Sequence, residues 1–147
     1  RRMEPIYSER NLTVYDDFAH HPTAIKTTLE GLRAKVGDAQ IVAVIESRSA
    51  TMKLGVHQGE LASSVVSADQ VLWYQNASID WDLSAVAKDA GIAVSVNSHI
   101  HSLVKETLEI ISDNHRANQS TRRDHKLESH PSFSIKFHIR HFALTRA

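Results

Sequence analysis

The sequence predicts an α/β fold, Rossmann-like, in which a mostly parallel sheet carries helices on both faces. Apolar runs of strand length alternate with segments of helical period about four times along the chain. The run Ile41–Ile45 is continuously apolar and mostly β-branched, as expected for a strand buried on both faces. Such alternation favours parallel strands joined by right-handed crossovers, and ligands then meet the loops at the carboxyl ends of the strands.

The first elements have clear boundaries. A strand is predicted over 11–17, and a helix begins at Pro22, because proline suits the first turn of a helix, and ends at Gly37. The later elements, after strand 41–45, are a helix over 57–67, a strand over 70–75, a short helix over 83–91, a strand over 92–96 and a helix over 99–112.

Composition bounds the possible functions. A chain of 147 residues is long enough for one domain, and its 41% apolar and 23% charged residues are ordinary for a globular protein. The absence of cysteine excludes disulfides and thiolate metal sites. No run of residues is apolar enough to span a bilayer, and the first residues lack a signal-peptide core, so we expect a cytoplasmic protein. Because it begins at Arg1, we expect a piece of a longer protein.

Charge divides the chain into two parts. Residues 1–112 carry a net charge of −4, whereas residues 113–147 carry +4 and contain no glycine. A basic tail can contact nucleic acid, but no arginine cluster or aromatic pattern accompanies this one, so a solvated end is favoured. We therefore predict one domain over 1–112 and an atypical basic tail over 113–147, with no nucleic-acid or membrane partner.

The origin of the tail is a separate hypothesis. Reading the coding sequence one base out of frame lets residues 114–119 encode an apolar, strand-like segment, so a frameshift explains the tail, with partial disorder as the alternative. Phe133, Ile135, Phe137 and Ile139 nevertheless alternate with polar residues. That period is compatible with a strand at the edge of the sheet.

The segment Val14–Ile25, VYDDFAHHPTAI, is the first candidate site. Asp16 and Asp17 stand between a strand and a helix, where a carboxylate either caps the helix or stays exposed to a ligand hydroxyl or a metal; capping explains two carboxylates less well than one. His20 and His21 lack further ligands at metal spacing, so a zinc site is disfavoured. A histidine that titrates near neutrality can instead hydrogen-bond an amine or take its proton.

The second candidate site follows strand 41–45. Arg48, Ser49, Thr51 and Lys53 form either a solvated loop or, beside the Asp/His segment, a site for carboxylates in which Arg48 is a bidentate clamp. The chain contains neither the G-x-x-x-x-G-K-[ST] phosphate loop nor G-x-G-x-x-G, and no serine nucleophile elbow. It therefore cannot hold a triphosphate by either standard motif.

The segments RRME, TVYDDFAHHPTAI and IESRSATMKLG resemble the C-terminal domain of Mur ligases, over residues 1–112. This family joins an amino acid or peptide to a UDP-sugar carboxylate in three domains. The branch resembled here attaches L-Ala-γ-D-Glu-meso-diaminopimelate to UDP-N-acetylmuramate through an acyl phosphate. The resemblance implies that ATP and Mg²⁺ are held mainly by a central domain missing here, so the fragment alone is expected to be inactive.

The resemblance also implies roles for individual residues. Arg2 matches an arginine near the ATP phosphates, and Asp17 an aspartate that binds the ribose hydroxyls. His20 matches the position near the incoming amine, where it is both catalytic and substrate-binding; Arg48, Ser49 and Lys53 match the loop that holds the tripeptide's carboxylates. No residue is expected to bind metal.

Two departures from the family pattern are visible. Ser47 and Ala50 replace a proline and an asparagine in the second loop, which leaves the tripeptide specificity open. The expected closing strand and glycine-rich loop are absent from residues 113–147. The alternative interpretation is a non-catalytic binding module for anionic peptides or nucleotides.

Overall fold

The computed structural model describes residues 3–9, 12–46, 58–75, 77, 79, 81–124 and 133–137. Its strands and helices are, in chain order, β1 (Glu4–Glu9), β2 (Leu12–Asp16), α1 (Pro22–Val36), β3 (Gln40–Glu46), α2 (Gln58–Ser64), β4 (Gln70–Tyr74), α3 (Leu83–Asp89), β5 (Ala93–Asn97), α4 (Ile100–Asp124) and β6 (Phe133–Phe137).

The strands form a six-stranded sheet in the order β1-β2-β6-β3-β4-β5. β2, β6, β3, β4 and β5 are parallel to one another, and β1 pairs antiparallel with β2 at the edge. Parallel strands need crossover connections, and helices supply them between β2 and β3, β3 and β4, and β4 and β5. The carboxyl ends of these five strands consequently lie along one edge of the sheet.

Helices cover both faces of the sheet. Ile25 and Leu29 of α1, Leu61 of α2 and Leu83 of α3 share a buried cluster with Ile45, on one face of β3. On the other face, Val42 and Val44 of β3 are fully buried in a second cluster that includes Leu103 of α4. The side chains of β3 alternate between the two clusters, as the period of a strand buried on both faces requires. This arrangement confirms the predicted α/β fold.

α1 begins and ends where the sequence predicts. Pro22 occupies its first turn, and Gly37 follows its last residue with φ of 60°, a left-handed conformation that glycine adopts without a Cβ clash. The Gly37 N–H donates to the carbonyl of Arg33 at 3.0 Å, which satisfies one of the last helical carbonyls.

α4 is longer than predicted. It continues past Ser112 to Asp124, because residues 113–124 contain neither proline nor glycine to end it. Two polar groups on β5 tie its first half to the sheet, since Ser95 Oγ and Asn97 Nδ2 donate to Glu106 Oε2 at 2.8 and 2.7 Å. Within the part of the chain that the structure describes, no helix is apolar over the length that a bilayer crossing needs.

Two strands differ from the sequence prediction. β1 was not predicted, because Pro5 interrupts a short segment and all six of its residues are exposed. β6 lies inside the sheet and not at the edge with which its alternation is compatible: Ile135 pairs with Val14 of β2 on one side and with Val42 of β3 on the other. Alternation identifies a strand but carries no information about its place in the sheet. How residues 1–112 and 113–147 divide as domains stays a prediction.

Candidate functional site

Two strands end at the same edge of the sheet. β2 ends at Asp16 and β3 ends at Glu46, and both strands run parallel to β6 between them. One intervening strand places the two strand ends roughly 10 Å apart, for a strand spacing of about 4.8 Å. The loop that starts at Asp17 therefore begins on the same edge as the end of β3, the position at which open α/β sheets bind ligands.

Asp17 is enclosed at the start of the first loop. Its side chain is 3% exposed, and Oδ2 accepts a hydrogen bond from the Met3 N–H at 2.8 Å. Oδ1 accepts from the Ala19 N–H at 2.8 Å and from the Thr28 hydroxyl at 3.3 Å. Asp17 is therefore a buried, hydrogen-bonded carboxylate and not one that is exposed to solvent. The neighbouring Asp16 is half-buried.

These contacts explain why the loop folds as it does. The bond from Ala19 N–H to the side chain of Asp17 is an Asx turn, a conformation that short carboxylate side chains favour. His21 precedes α1 and makes no side-chain capping bond. The side chain that connects α1 to this loop is Thr28, on the second turn of the helix, whose hydroxyl donates to Asp17 Oδ1. A single carboxylate thus joins the N-terminal segment, the loop and the helix.

His20 has one ring nitrogen fixed by the loop. Its Nδ1 lies 2.9 Å from the carbonyl oxygen of Phe18. Because a carbonyl oxygen can only accept, Nδ1 must carry the proton in this contact, and in the neutral ring Nε2 is then the unprotonated nitrogen. The loop therefore selects the tautomer in which Nε2 can accept a hydrogen bond from an amine.

Three rings follow one another along this loop. Phe18 is 48% exposed, its ring centroid lies 5.0 Å from that of His20, and His20 lies 4.9 Å from His21, both pairs edge to face. These two edge-to-face contacts restrict the orientation of the His20 ring. Among the described residues, no three carboxylate or imidazole groups are placed to hold a metal ion.

Glu46, the last residue of β3, was not singled out from the sequence. It is 5% exposed and lies beside Tyr74 of β4 in the parallel register. The sequence pattern that could have identified Glu46 is a charged residue directly after a continuous apolar run, because such residues are rarely buried without a role. Met3 and Thr28 were also missed as partners of Asp17, because a partner fourteen residues away, as Met3 is, leaves no mark in local periodicity.

Other predicted site residues lie outside the described part of the chain. These are Arg2, which precedes β1 in the sequence, and Arg48, Ser49, Thr51 and Lys53, which follow β3 in the sequence, together with the family departures Ser47 and Ala50. The structure therefore places Asp17 and His20 in one loop and shows the edge of the sheet at which β3 ends. The roles assigned to all of these residues stay predictions.

Comparison with known proteins gives a family match. Residues 1–120 match the model of the family described as "Mur ligase, glutamate ligase domain". A curated relative from Escherichia coli (strain K12), UDP-N-acetylmuramate--L-alanyl-gamma-D-glutamyl-meso-2,6-diaminoheptandioate ligase, is 52% identical over 89 residues, which are 60% of this chain and 20% of the relative. The chain thus spans about a fifth of the length of that protein.

Two solved structures are similar along most of the chain. A domain from a UDP-N-acetylmuramate:L-alanyl-gamma-D-glutamyl-meso-diaminopimelate ligase of Haemophilus ducreyi 35000HP has a TM-score of 0.64 at 33% identity, covering 92% of this chain and 85% of that one. A murein peptide ligase from Psychrobacter arcticus 273-4 has a TM-score of 0.67 at 34% identity, covering 92% of this chain and 26% of that one.

Proposed function

The chain belongs to the Mur ligase family, within its glutamate ligase domain, and we propose that it is the C-terminal domain of an ATP-dependent ligase of murein peptides. We propose that the substrates of that ligase are UDP-N-acetylmuramate and the tripeptide L-Ala-γ-D-Glu-meso-diaminopimelate, the two compounds in the name of the E. coli relative. Its physical partners are the N-terminal and central domains of the same longer protein.

One observation carries the proposal. The loop that contains Asp17 and His20 begins on the same edge of a parallel sheet at which β3 ends with Glu46. Cationic and hydroxyl residues in the second loop, Arg48, Ser49 and Lys53, suit a peptide that carries several carboxylates, because a guanidinium can bind a carboxylate with two parallel hydrogen bonds. The first loop then faces the amine end of the same peptide.

The chemistry asked of this domain is limited. ATP supplies the phosphoryl group that activates the UDP-sugar carboxylate as an acyl phosphate, and Mg²⁺ is proposed to be held mainly by the central domain. The free amino nitrogen of the tripeptide attacks the acyl carbon, the bond from that carbon to the phosphate oxygen breaks and releases phosphate, and the nitrogen loses a proton. His20 Nε2, with Nδ1 bonded to the Phe18 carbonyl, is oriented to accept that proton.

Nucleotide contact is the second proposed role. Arg2 would supply positive charge near the ATP phosphates. Asp17 would contact the ribose hydroxyls, although both of its oxygens already accept hydrogen bonds and its side chain is 3% exposed. A ribose contact therefore requires the cover over Asp17 to open. The exposed rings of Phe18 and His21 and the half-exposed ring of His20 are the described aromatic groups of this loop that a ligand can reach directly.

Calorimetric titration with the tripeptide tests the carboxylate site. We expect Arg48→Ala to weaken binding on the order of tenfold to a hundredfold, because a charge-assisted hydrogen bond contributes about 1.5–3 kcal/mol. Arg116→Ala is the matched control, since that arginine lies on α4 with its side chain 81% exposed and pairs only with Asp113 among the contacts described. Equal affinities of wild type and Arg48→Ala would remove Arg48 from the proposed site.

A binding module without catalysis is the second candidate, favoured by the absence of a phosphate loop in this sequence. It predicts that the parent protein binds the peptide or the nucleotide but never forms the amide bond. An assay of amide formation by the longer protein decides between the two, because only the ligase consumes ATP and tripeptide together.

A further inference from the structure

The peptide group between Phe18 and Ala19 is hydrogen-bonded at both of its ends. Its N–H, on Ala19, donates to Asp17 Oδ1 at 2.8 Å. Its carbonyl oxygen, on Phe18, lies 2.9 Å from Nδ1 of His20 and accepts from it. A trans peptide group is planar and its N–H and C=O point in opposite directions, so the bond at one end determines where the other end points. One rigid unit thus connects the carboxylate of Asp17 to the ring of His20.

The carboxylate that holds this peptide group is itself fixed. Asp17 is 3% exposed, and its other oxygen, Oδ2, accepts from the Met3 N–H at 2.8 Å. Oδ1 accepts a second bond, from the Thr28 hydroxyl at 3.3 Å. Turning the Asp17 side chain would break bonds to the N-terminal segment and to α1 at once, and would leave a buried charge without its donors. The Ala19 N–H therefore has an acceptor that cannot move away.

The contacts of the His20 ring do not all carry the same information. The edge-to-face contacts with Phe18 and His21 limit the plane of the ring, but a half-turn of the ring keeps that plane and exchanges the sides of the two nitrogens. The bond to the Phe18 carbonyl does distinguish the nitrogens, because only a protonated nitrogen can donate to it. The direction of that carbonyl therefore decides which nitrogen of His20 keeps its lone pair.

We infer that Asp17 is a positioning residue for His20: through the Phe18–Ala19 peptide group it holds the carbonyl that keeps the proton on Nδ1 and leaves Nε2 to accept. Histidines that act in sites commonly have their tautomer set by a bond from the second nitrogen to a carboxylate or a carbonyl. Here the carboxylate acts from one peptide group away. The inference rests on the proposed function for the task of Nε2, and it gives the enclosed Asp17 a role that needs no ribose.

Nitrogen-15 NMR of His20 in the whole chain tests the inference without a ligand. In the wild type we expect the neutral ring to be protonated at Nδ1. Asp17→Ala removes the acceptor of the Ala19 N–H, and we expect it to lower the ratio of the Nδ1-protonated to the Nε2-protonated ring about threefold to tenfold, the usual effect of losing one hydrogen bond. A wild-type ring protonated at Nε2, or an unchanged ratio in Asp17→Ala, overturns the inference.

Thr28→Val is the matched control. It removes the other bond to the same carboxylate oxygen but leaves the Ala19 N–H and its acceptor in place. We expect its tautomer ratio to stay within about twofold of wild type, because the peptide group keeps its direction. A loss as large as that of Asp17→Ala would show that any disturbance of the loop moves the proton, which overturns the specific role of the peptide group.

Kinetics of amide formation by the longer ligase separate this role from a nucleotide contact. We expect Asp17→Ala to lower kcat about threefold to tenfold at saturating ATP and tripeptide, because fewer rings present an unprotonated Nε2. In a His20→Ala background the same substitution should cause no further loss of kcat, because Asp17 acts through His20. A raised KM for ATP with an unchanged kcat overturns the inference in favour of a ribose contact.

Two measurements on the wild-type chain cover the case in which Asp17→Ala does not fold. We expect scalar couplings through both hydrogen bonds, one from the Ala19 nitrogen to the Asp17 carboxyl carbon and one from Nδ1 of His20 to the Phe18 carbonyl carbon. The absence of either coupling overturns the inference. If His20→Ala leaves amide formation unchanged, the proposed task of Nε2 fails, whereas the couplings and the tautomer ratio still decide whether Asp17 sets the tautomer.

Discussion

The Nη2 atom of Arg33 lies 2.6 Å from Oδ2 of Asp69, and this ion pair joins the last turn of α1 to the start of β4. The same guanidinium donates from Nη1 to the carbonyls of Gly37 and Ala39, each at 2.7 Å. Asp69 Oδ2 also accepts from the Ile41 N–H at 2.6 Å. These contacts join α1 to the first residues of β3 and β4, at the edge of the sheet opposite the candidate site.

Replacing Arg33 by lysine should reduce the free energy of unfolding by about 1–3 kcal/mol. Lysine keeps the charge, but its three donors sit on one nitrogen and cannot serve the carbonyls of Ser67, Gly37 and Ala39 and the carboxylate of Asp69 together. Urea denaturation measures the change, with Arg116→Lys as the exposed control, expected within about 0.5 kcal/mol of wild type. The two side chains are 31% and 47% exposed, so the ion pair alone contributes little. An effect that disappears in about 1 M salt would contradict the role of the carbonyl bonds.

Asp82 caps α3 and should make stability depend on pH in the acid range. It accepts from the Ser84 hydroxyl and from the Ser84 N–H, the latter at 2.8 Å, and these two bonds hold the pKa of Asp82 below its ordinary value of 3.8. A lowered pKa in the folded state stabilises the fold above the ordinary value. That contribution is lost as the pH falls through the folded-state pKa.

The matched variant for this prediction is Asp82→Asn, which keeps an acceptor for the Ser84 N–H but cannot titrate. Wild type should be more stable than Asp82→Asn near neutral pH, and the difference should shrink below about pH 4. Thermal unfolding across that range measures it. A constant difference at every pH would show that the charge of Asp82 has no part in the cap.

His20→Ala should reduce amide formation by the longer ligase by about 10²–10⁴-fold, the usual contribution of a positioned acid or base. His21→Ala is the comparison: it removes the neighbouring ring that contacts His20 edge to face but leaves Nε2 of His20 in place, so we expect a smaller loss. Single-turnover kinetics at saturating peptide isolate the chemical step from binding. Equal losses in the two variants would point to damage to the loop rather than to the loss of Nε2 of His20.

The interior position of β6 predicts that its backbone is needed for the sheet. Ile135→Pro removes a backbone donor from the strand between Val14 and Val42, and we expect a loss of about 1–3 kcal/mol, the cost of leaving a buried partner unpaired. Ile135→Ala keeps the donor and separates the backbone effect from that of the side chain. Exchange rates of the Val14 and Val42 amides report the pairing, and equal rates in the proline variant and wild type would mean that β6 does not join the sheet.

Local pattern predicted most of the elements, and the exceptions share a cause. Pro22, Gly37 and the apolar run of β3 carry their structural meaning within a few residues, and the structure confirms the helix and strand that they indicate. The position of β6 depends instead on which strands lie beside it, a property of chain topology. β1 has no buried residue, so no period of burial marks it in the sequence.

The candidate site shows the same division. The sequence placed Asp17 and His20 in a loop at the carboxyl end of a strand, as observed. It could not distinguish an exposed Asp17 from an enclosed one, because the cover comes from Met3, which is fourteen residues earlier in the chain. The contact of His20 Nδ1 with the Phe18 carbonyl likewise depends on backbone conformation, which residue types alone do not specify.

The place of β6 has a consequence for biosynthesis. β2 and β3 flank a gap that only residues 133–137 fill, so the nascent chain carries two unpaired strand edges until that segment leaves the ribosome. At about 5–20 residues per second, roughly the last hundred residues take several seconds to be made. During that interval the two unpaired strand edges can pair with other chains. We therefore expect that a high yield of folded protein requires a chaperone to bind the nascent chain early.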